Sequence, residues 1–192
     1  MRNCVLCFAL LFLMLSCKNK KAGKTEKVSS DSTKYFALGV FFQQQIVDVD
    51  LRAYHIYLVK NLNGKKDSLE IDKEIFKSYA NLFLQKDISA PEMHNRFSET
   101  VFHDLSTKSY TLNYRAKSVD EPIQNIDILL DENTSIVKRV FVRTETMHKD
   151  TSIVEQCNWK ADKSFQINRV SKTPSGYISN EFNYINWNDH KK

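Results

Sequence analysis

The stretch Lys108–Ala116, KSYTLNYRA, decides the fold class, because apolar and polar residues alternate along it. Its large apolar residues, Tyr110, Leu112 and Tyr114, stand at every second position, with polar residues between them. Successive side chains of a β-strand point to opposite faces of the sheet. The stretch therefore predicts a strand with one apolar face and one polar face.

Similar alternation runs from Ser98 to the end of the chain and is interrupted by short turn-like segments. We count about six strands there, joined by short links, which is typical of an antiparallel meander. The segment 135–147 differs, because apolar residues such as Val140 and Phe141 occupy both parities. That pattern predicts a strand covered on both faces.

A β-hairpin is predicted before this region, over residues 52–71. Tyr54, Ile56 and Leu58 stand at every second position, and the dipeptide Asn63-Gly64 suits the positive φ angles of a tight turn. Including this hairpin, the sequence predicts about eight strands.

Three helices are predicted from apolar side chains that recur every three or four residues: the first begins at Asp31 or Ser32 and ends near residues 48–50, the second spans 72–86, and a shorter third begins at Ser89. Asp72 is suited to cap the second helix. Ser89 and Glu92 have the spacing of a capping box for the third.

These elements predict an α+β fold, in which a long, twisted antiparallel sheet of about eight strands, mostly a meander, packs on about three helices. We expect the helices to cover one face of the sheet and the other face to be largely solvated. Residues 33–192 are expected to form a single globular domain.

The N-terminal stretch LFLMLSCKNKK, residues 11–21, ends an apolar run abruptly at Ser16 and Cys17 and then turns basic. The run Cys4–Leu15 is too short to span a bilayer as a helix. The stretch resembles a bacterial lipoprotein signal with a lipobox cysteine. An ordinary secretory signal or a buried N-terminal helix would be the alternatives.

The resemblance implies that residues 1–16 are a signal peptide and that Cys17 becomes the acylated first residue. Residues 17–32 are then the lipidated cysteine and a flexible basic linker. The protein would contact the membrane through the acyl anchor on Cys17, and the outer membrane, facing the periplasm, is the expected location. Basic linker residues could also touch anionic head groups, although a solvated tether is the simpler interpretation.

After such processing, Cys157 is the one thiol left, so no intramolecular disulfide is expected. Cys157 lies in a strand pattern between apolar neighbours. We expect a small buried hydrophobic residue there and not a nucleophile.

No motif for catalysis, cofactors or metals stands out, and we predict no catalytic, cofactor-binding or metal-binding residues. The five histidines have neither metal-ligand nor zinc-motif spacing: His55, His94, His103, His148 and His190. Three pairs of nearby carboxylates fall at element ends or in predicted turns: Asp48 and Asp50, Asp120 and Glu121, Asp131 and Glu132. Five aromatic residues cluster late in the chain and indicate either cross-strand packing or a ligand face: Trp159, Tyr177, Phe182, Tyr184 and Trp187.

Our leading hypothesis is a non-enzymatic, lipid-anchored binding or structural module of the cell envelope. The alternative is a carrier of lipid or another hydrophobic ligand, since the order of elements is loosely similar to the periplasmic lipoprotein-carrier half-barrels. A carrier needs an apolar cavity between sheet and helices, whereas a binding module has a filled core. A hydrolase is the third hypothesis and has less support. Another envelope protein is a further candidate partner. Nucleic acid is not an expected partner.

Overall fold

A nine-stranded antiparallel sheet with two α-helices dominates the computed structural model, which describes residues 35–189. In chain order the elements are α1 (Leu38–Leu51), β1 (Ile56–Leu62), β2 (Lys65–Ile71), α2 (Lys73–Leu84), a 3-10 turn (Pro91–Met93), β3 (Phe97–Asp104), β4 (Ser109–Ala116), β5 (Ile123–Asp131), β6 (Val137–His148), β7 (Thr151–Lys160), β8 (Ser164–Lys172) and β9 (Ile178–Asn186). The predicted signal peptide, Cys17, the linker and His190 lie outside the described residues.

The strands lie in the order β2-β1-β9-β8-β7-β6-β5-β4-β3. Strands β3 to β9 follow one another as a meander, and the β1–β2 hairpin adds to it by pairing β1 with β9. The sheet does not close, and β2 and β3 are its two edges. The α+β class and the antiparallel meander are thus confirmed, but the expected eight strands are nine, because the region after Ser98 folds into seven.

Tight turns with positive φ angles make the short links possible. Asn63 and Gly64 have φ angles of 50° and 88°, which confirms the predicted hairpin. Lys149 and Asp150 have φ angles of 46° and 64° and form a two-residue turn between β6 and β7. These turns fix the register of their strands.

The second helix is confirmed, because the Asp72 carboxylate accepts a hydrogen bond from the Ile75 amide at 2.8 Å. The expected start of the first helix is wrong, because α1 begins at Leu38. Residues just before it bind β3 and β4 instead: the Tyr35 hydroxyl donates to the carbonyl of Phe97 at 2.8 Å. The predicted C-terminal end of this helix agrees with the structure to within one or two residues.

The predicted third helix is wrong, since only the single 3-10 turn Pro91–Met93 forms. Ser89 does not cap it, because its amide and hydroxyl both donate to the Asp87 carboxylate. Asn95 then adopts a φ angle of 68°, which ends any helical path before β3 begins.

Strand β6 is not covered on both faces, contrary to the prediction from its mixed apolar pattern. Val140 and Val142 are buried, whereas on the other face Phe141 is half-buried and Met147 is exposed. A register shift opposite Leu129 and Leu130 also turns Val137 to the buried face. The bulge thus accounts for part of the mixed pattern.

The core lies between the two helices and one face of the sheet, and aromatic rings fill it. The Trp159 ring on β7 contacts Phe42 of α1 and Phe83 of α2, with centroids 5.2 and 4.9 Å apart. Phe76 of α2 contacts Phe165 of β8 at 5.7 Å. Such ring pairs bury a large apolar area and also prefer defined mutual orientations, which stabilises one arrangement of the helices on the sheet.

Outward-pointing residues of the central strands are half-buried or exposed, for example Asn158, Gln166 and Tyr184. No described residue forms a helix long and apolar enough to cross a membrane.

Candidate functional site

A row of polar residues crosses the helix-facing side of four neighbouring strands. Thr144 of β6 is paired with Glu155 of β7, Glu155 with Arg169 of β8, and Arg169 with Glu181 of β9. Residues on one face of a strand alternate, so this row lies on the same face as the buried Trp159. The inward face therefore changes from apolar to charged along the strands.

Glu155 is the centre of this row. Its Oε1 atom accepts hydrogen bonds from Nε and Nη2 of Arg169, at 2.9 and 2.7 Å. The Nη1 atom of Arg169 lies 3.3 Å from Oε2 of Glu181, whose Oε1 accepts from Asn183 at 2.8 Å. One guanidinium thus bridges two carboxylates, a geometry that suits its fixed fork of donors.

Lys86 approaches the same carboxylate from the segment that follows α2. Its Nζ atom lies 3.0 Å from Oε2 of Glu155, and the residue is only 7% exposed. A lysine is rarely buried to this degree without a partner. Lys86, Glu155, Arg169 and Glu181 therefore form one ionic network, which we call the charged network.

An open cleft of about 600 Å³ lies over the charged network. It begins where α2 ends, so the helices do not cover this part of the sheet. The lining residues come from the end of α2, the start of β5 and strands β6 to β9: Gln85, Lys86, Pro122, Ile123, Thr144, Thr146, His148, Ile153, Glu155, Arg169, Ser171 and Glu181. We call this feature the polar cleft; its size falls within the range of roughly 300–1,000 Å³ that is usual for small-molecule sites.

The network holds Glu155 in its charged form. Burial raises the pKa of the Glu155 carboxyl, but the adjacent Lys86 ammonium and the hydrogen-bonding Arg169 guanidinium outweigh it, so the pKa lies below its ordinary value of 4.5. Burial lowers the pKa of Arg169, yet its hydrogen bonds to Glu155 leave that pKa raised. Both groups are therefore charged at neutral pH.

Cys157 stands one step deeper than Glu155 on the same face of β7 and is fully buried. This confirms the expectation of a buried residue. Burial raises the pKa of its thiol to about 11. A thiol in that environment is a poor nucleophile, because the thiolate is the reactive form.

The structure does not bring the histidines together. His148 lines the polar cleft, whereas His55 pairs with Glu70 at 2.7 Å and His103 with Glu132 at 2.8 Å, both on exposed parts of the sheet. His94 packs edge-on against Tyr35. Among the described residues, no group of three or more histidines, cysteines and carboxylates could hold a metal ion.

None of the paired carboxylates singled out in the sequence lines the polar cleft, and each has a partner of its own. Their partners are Arg52 for Asp48, Lys77 for Asp50, Ser118 for Asp120, Arg96 for Glu121, Lys138 for Asp131 and His103 for Glu132. These contacts are those of charged residues at turns and element ends.

The late aromatic residues divide between the two faces of the sheet. Trp159 and Trp187 belong to the core, and their rings lie 5.7 Å apart. Phe182 and Tyr184 are half-buried on the outer face, and Tyr177 is exposed in the turn before β9. They do not converge on the polar cleft.

Sequence reasoning missed the charged network, because it has no local motif. Its residues come from four separate segments of the chain, and the sheet register alone aligns three of them. One signal was present in the sequence: Glu155 has the parity of Cys157 and Trp159, so a charge occupied the apolar side of a strand.

Comparison of the chain with protein-family models, curated proteins and solved structures finds no significant match. Functional inference therefore relies on the residues and geometry of the chain itself.

Proposed function

We propose that this protein is a lipid-anchored binding module of the bacterial cell envelope and that it takes a small polar ligand into the polar cleft. The anchor would be Cys17, as the resemblance of residues 11–21 to a lipoprotein signal implies. The observation that carries the ligand proposal is the charged network on the floor of an open cleft.

The balance of charge supports a polar ligand without a large net charge. Two cations, Lys86 and Arg169, face two anions, Glu155 and Glu181. A strongly charged ligand would meet a group of like charge next to each attractive one, which is costly. Hydroxyl and amide groups can instead both donate to the carboxylates and accept from the cations.

The filled core supports this ligand class over a hydrophobic one. Phe42, Phe83, Trp159 and Phe165 occupy the space between helices and sheet in which a lipid carrier would need its cavity. The polar cleft lies outside that core and carries charge on its floor. Burying an acyl chain against it would leave charged groups without water.

Two features argue against a proton donor or a cysteine nucleophile at this position. The pKa of Glu155 is lowered, so its carboxyl does not supply a proton at neutral pH. The pKa of Cys157 is raised to about 11, which makes its thiol unreactive.

A thermal-shift screen of the purified chain tests the ligand class. The panel holds neutral sugars, zwitterionic dipeptides and fatty acids. We expect a stabiliser among the first two groups and none among the fatty acids, because binding to the folded state alone raises the unfolding temperature.

Two arginine variants locate the binding. Arg169→Met should abolish the shift, since it removes the guanidinium from the cleft. Arg143→Met is the matched control, because Arg143 lies on the outer face of β6 and pairs with Glu145. A fatty acid that stabilised the parent would instead favour the carrier alternative.

A further inference from the structure

The two edges of the sheet differ in how well they are protected. The outer edge strand β2 has the sequence KKDSLEI and carries Lys65, Lys66 and Asp67. Charged residues of this kind are a common protection against pairing with another strand. Strand β3, FSETVFHD, has neither lysine nor proline, and Val101 and Phe102 at its centre are 60% and 65% exposed.

Strand β3 is also regular. All eight of its residues pair with β4 without a register shift, and no described strand pairs with its outer side. At its first residue the outward backbone groups are taken, because the Tyr35 hydroxyl bonds to the amide and the carbonyl of Phe97. A regular strand at an open edge leaves a row of backbone N–H and C=O groups available for another strand. Such an edge is suited to strand addition.

We propose that β3 pairs with β3 of a second copy of this chain, antiparallel and around a two-fold axis at Val101. The partnership is isologous, so the same residues contribute from both copies. It joins two nine-stranded sheets into one and does not depend on the proposed ligand.

Charge complementarity selects this register. Pairing Val101 with Val101 of the second copy places Glu99 opposite His103 on both sides of the axis, within the part of β3 whose outward backbone groups are not bonded to Tyr35. A carboxylate can hydrogen-bond to an imidazole across the strands, and opposite charges there are stabilising. The Nε2 atom of His103 already lies 2.8 Å from Glu132, which leaves Nδ1 for this contact.

Neighbouring registers are worse. Residues that stand opposite each other must lie on the same face of the joined sheet, so an odd-numbered residue of β3 can pair only with another odd-numbered residue. The next such register in one direction puts Glu99 opposite Val101, and the next in the other puts Glu99 opposite Leu105. Both place a carboxylate against an apolar residue and lose the contact with His103.

Disulfide trapping tests the pairing in the full chain, kept in a non-ionic detergent. Directly opposite residues have Cβ atoms about 4.5–5.5 Å apart, so a disulfide between them can form after a small backbone adjustment. On mild oxidation, we expect Val101→Cys to give about tenfold more covalent dimer than Ser68→Cys. Ser68 lies on β2, the edge that charged residues protect, whereas Val101 lies on the unprotected edge strand β3. The unsubstituted chain reports the background from its natural cysteines.

Sedimentation velocity provides the second measurement. The parent should sediment as a dimer, and Val101→Lys should raise the dissociation constant by about tenfold or more, because two ammonium groups would face each other at the axis. Ser68→Lys is the matched control and should remain dimeric.

Two results would overturn the proposal. One is a parent chain that sediments as a monomer. The other is equal covalent dimer from Val101→Cys and Ser68→Cys.

Discussion

Glu155 on β7 and Arg169 on β8 are directly paired across the sheet, and one carboxylate oxygen accepts two hydrogen bonds from the guanidinium, at 2.9 and 2.7 Å. Lys86 adds a third donor from the segment after α2. Ionic groups inside a protein are weak sources of stability, because their desolvation offsets much of their attraction. Their position on the floor of an open cleft is the basis of the ligand site that we propose.

The negative charge of Glu155 should contribute to the stability of the folded protein, because it neutralises Lys86 and Arg169. We expect Glu155→Gln to lower the free energy of unfolding by about 2 kcal/mol, because the buried Lys86 and the half-buried Arg169 would lose their counter-charge. Urea unfolding followed by circular dichroism measures this difference. The control is Glu145→Gln on the exposed outer face, which should change stability by less than about 0.5 kcal/mol.

Lowering the pH should remove the contribution of the Glu155 carboxylate to the free energy of unfolding. The pKa of Glu155 in the folded protein lies below its ordinary value of 4.5, so the unfolded chain takes up the proton first as the pH falls. The stabilisation is therefore present above the unfolded pKa and is lost as the pH falls through the folded pKa. We expect the parent to lose more stability than Glu155→Gln between about pH 6 and about pH 3, and equal losses would contradict the assignment.

Cys157 should resist alkylation in the folded protein. It is fully buried, and with its pKa raised to about 11, roughly one thiol in a thousand is ionised at about pH 8. Iodoacetamide followed by peptide mass spectrometry should find Cys157 unmodified before unfolding and modified afterwards. Rapid labelling of the native protein would show that the strand interior is open.

Gln45 should be important for the attachment of α1 to the sheet. Its side-chain oxygen accepts from the Trp159 indole at 3.3 Å and from the Asp162 amide at 2.7 Å. Gln45→Leu leaves the buried indole N–H without a partner and should cost about 1–3 kcal/mol of stability. Gln44→Leu is the matched control, since Gln44 is exposed on the same helix, and a similar loss in both variants would contradict the role of Gln45.

Cys17 should hold the protein on its membrane. We expect Cys17→Ala to abolish labelling with a radioactive or clickable fatty acid in cells and to release the domain from the membrane fraction. Substitution of Lys18 with alanine, next to the anchor, should leave both unchanged. Membrane retention and acyl labelling of Cys17→Ala would refute the anchor.

Local sequence patterns were sufficient for most of the fold. The alternation in Lys108–Ala116, the Asn63-Gly64 turn and the Asp72 cap each act over a few residues, so they can be recognised without knowledge of the rest of the chain. The third helix did not form although the competing contact is also local, because the Ser89 amide and hydroxyl bond to the Asp87 carboxylate two residues earlier instead of capping. The bulge in β6 was missed because it depends on the register with β5.

The charged network could not be predicted in the same way. Glu155 and Arg169 are fourteen residues apart and meet only through the β7–β8 register, and Lys86 is 69 residues from Glu155. A charge on the buried parity of β7 was the one local signal. It indicated an inward carboxylate but not which cations would meet it.

Native mass spectrometry of the protein, purified gently from the cells that produce it, tests the central claim most directly. We predict a non-covalent adduct with the mass of a small polar compound, present in the parent and in Arg143→Met and lost in Arg169→Met. A lipid-sized non-covalent adduct, retained in Arg169→Met, would contradict the proposed polar ligand and favour a hydrophobic carrier.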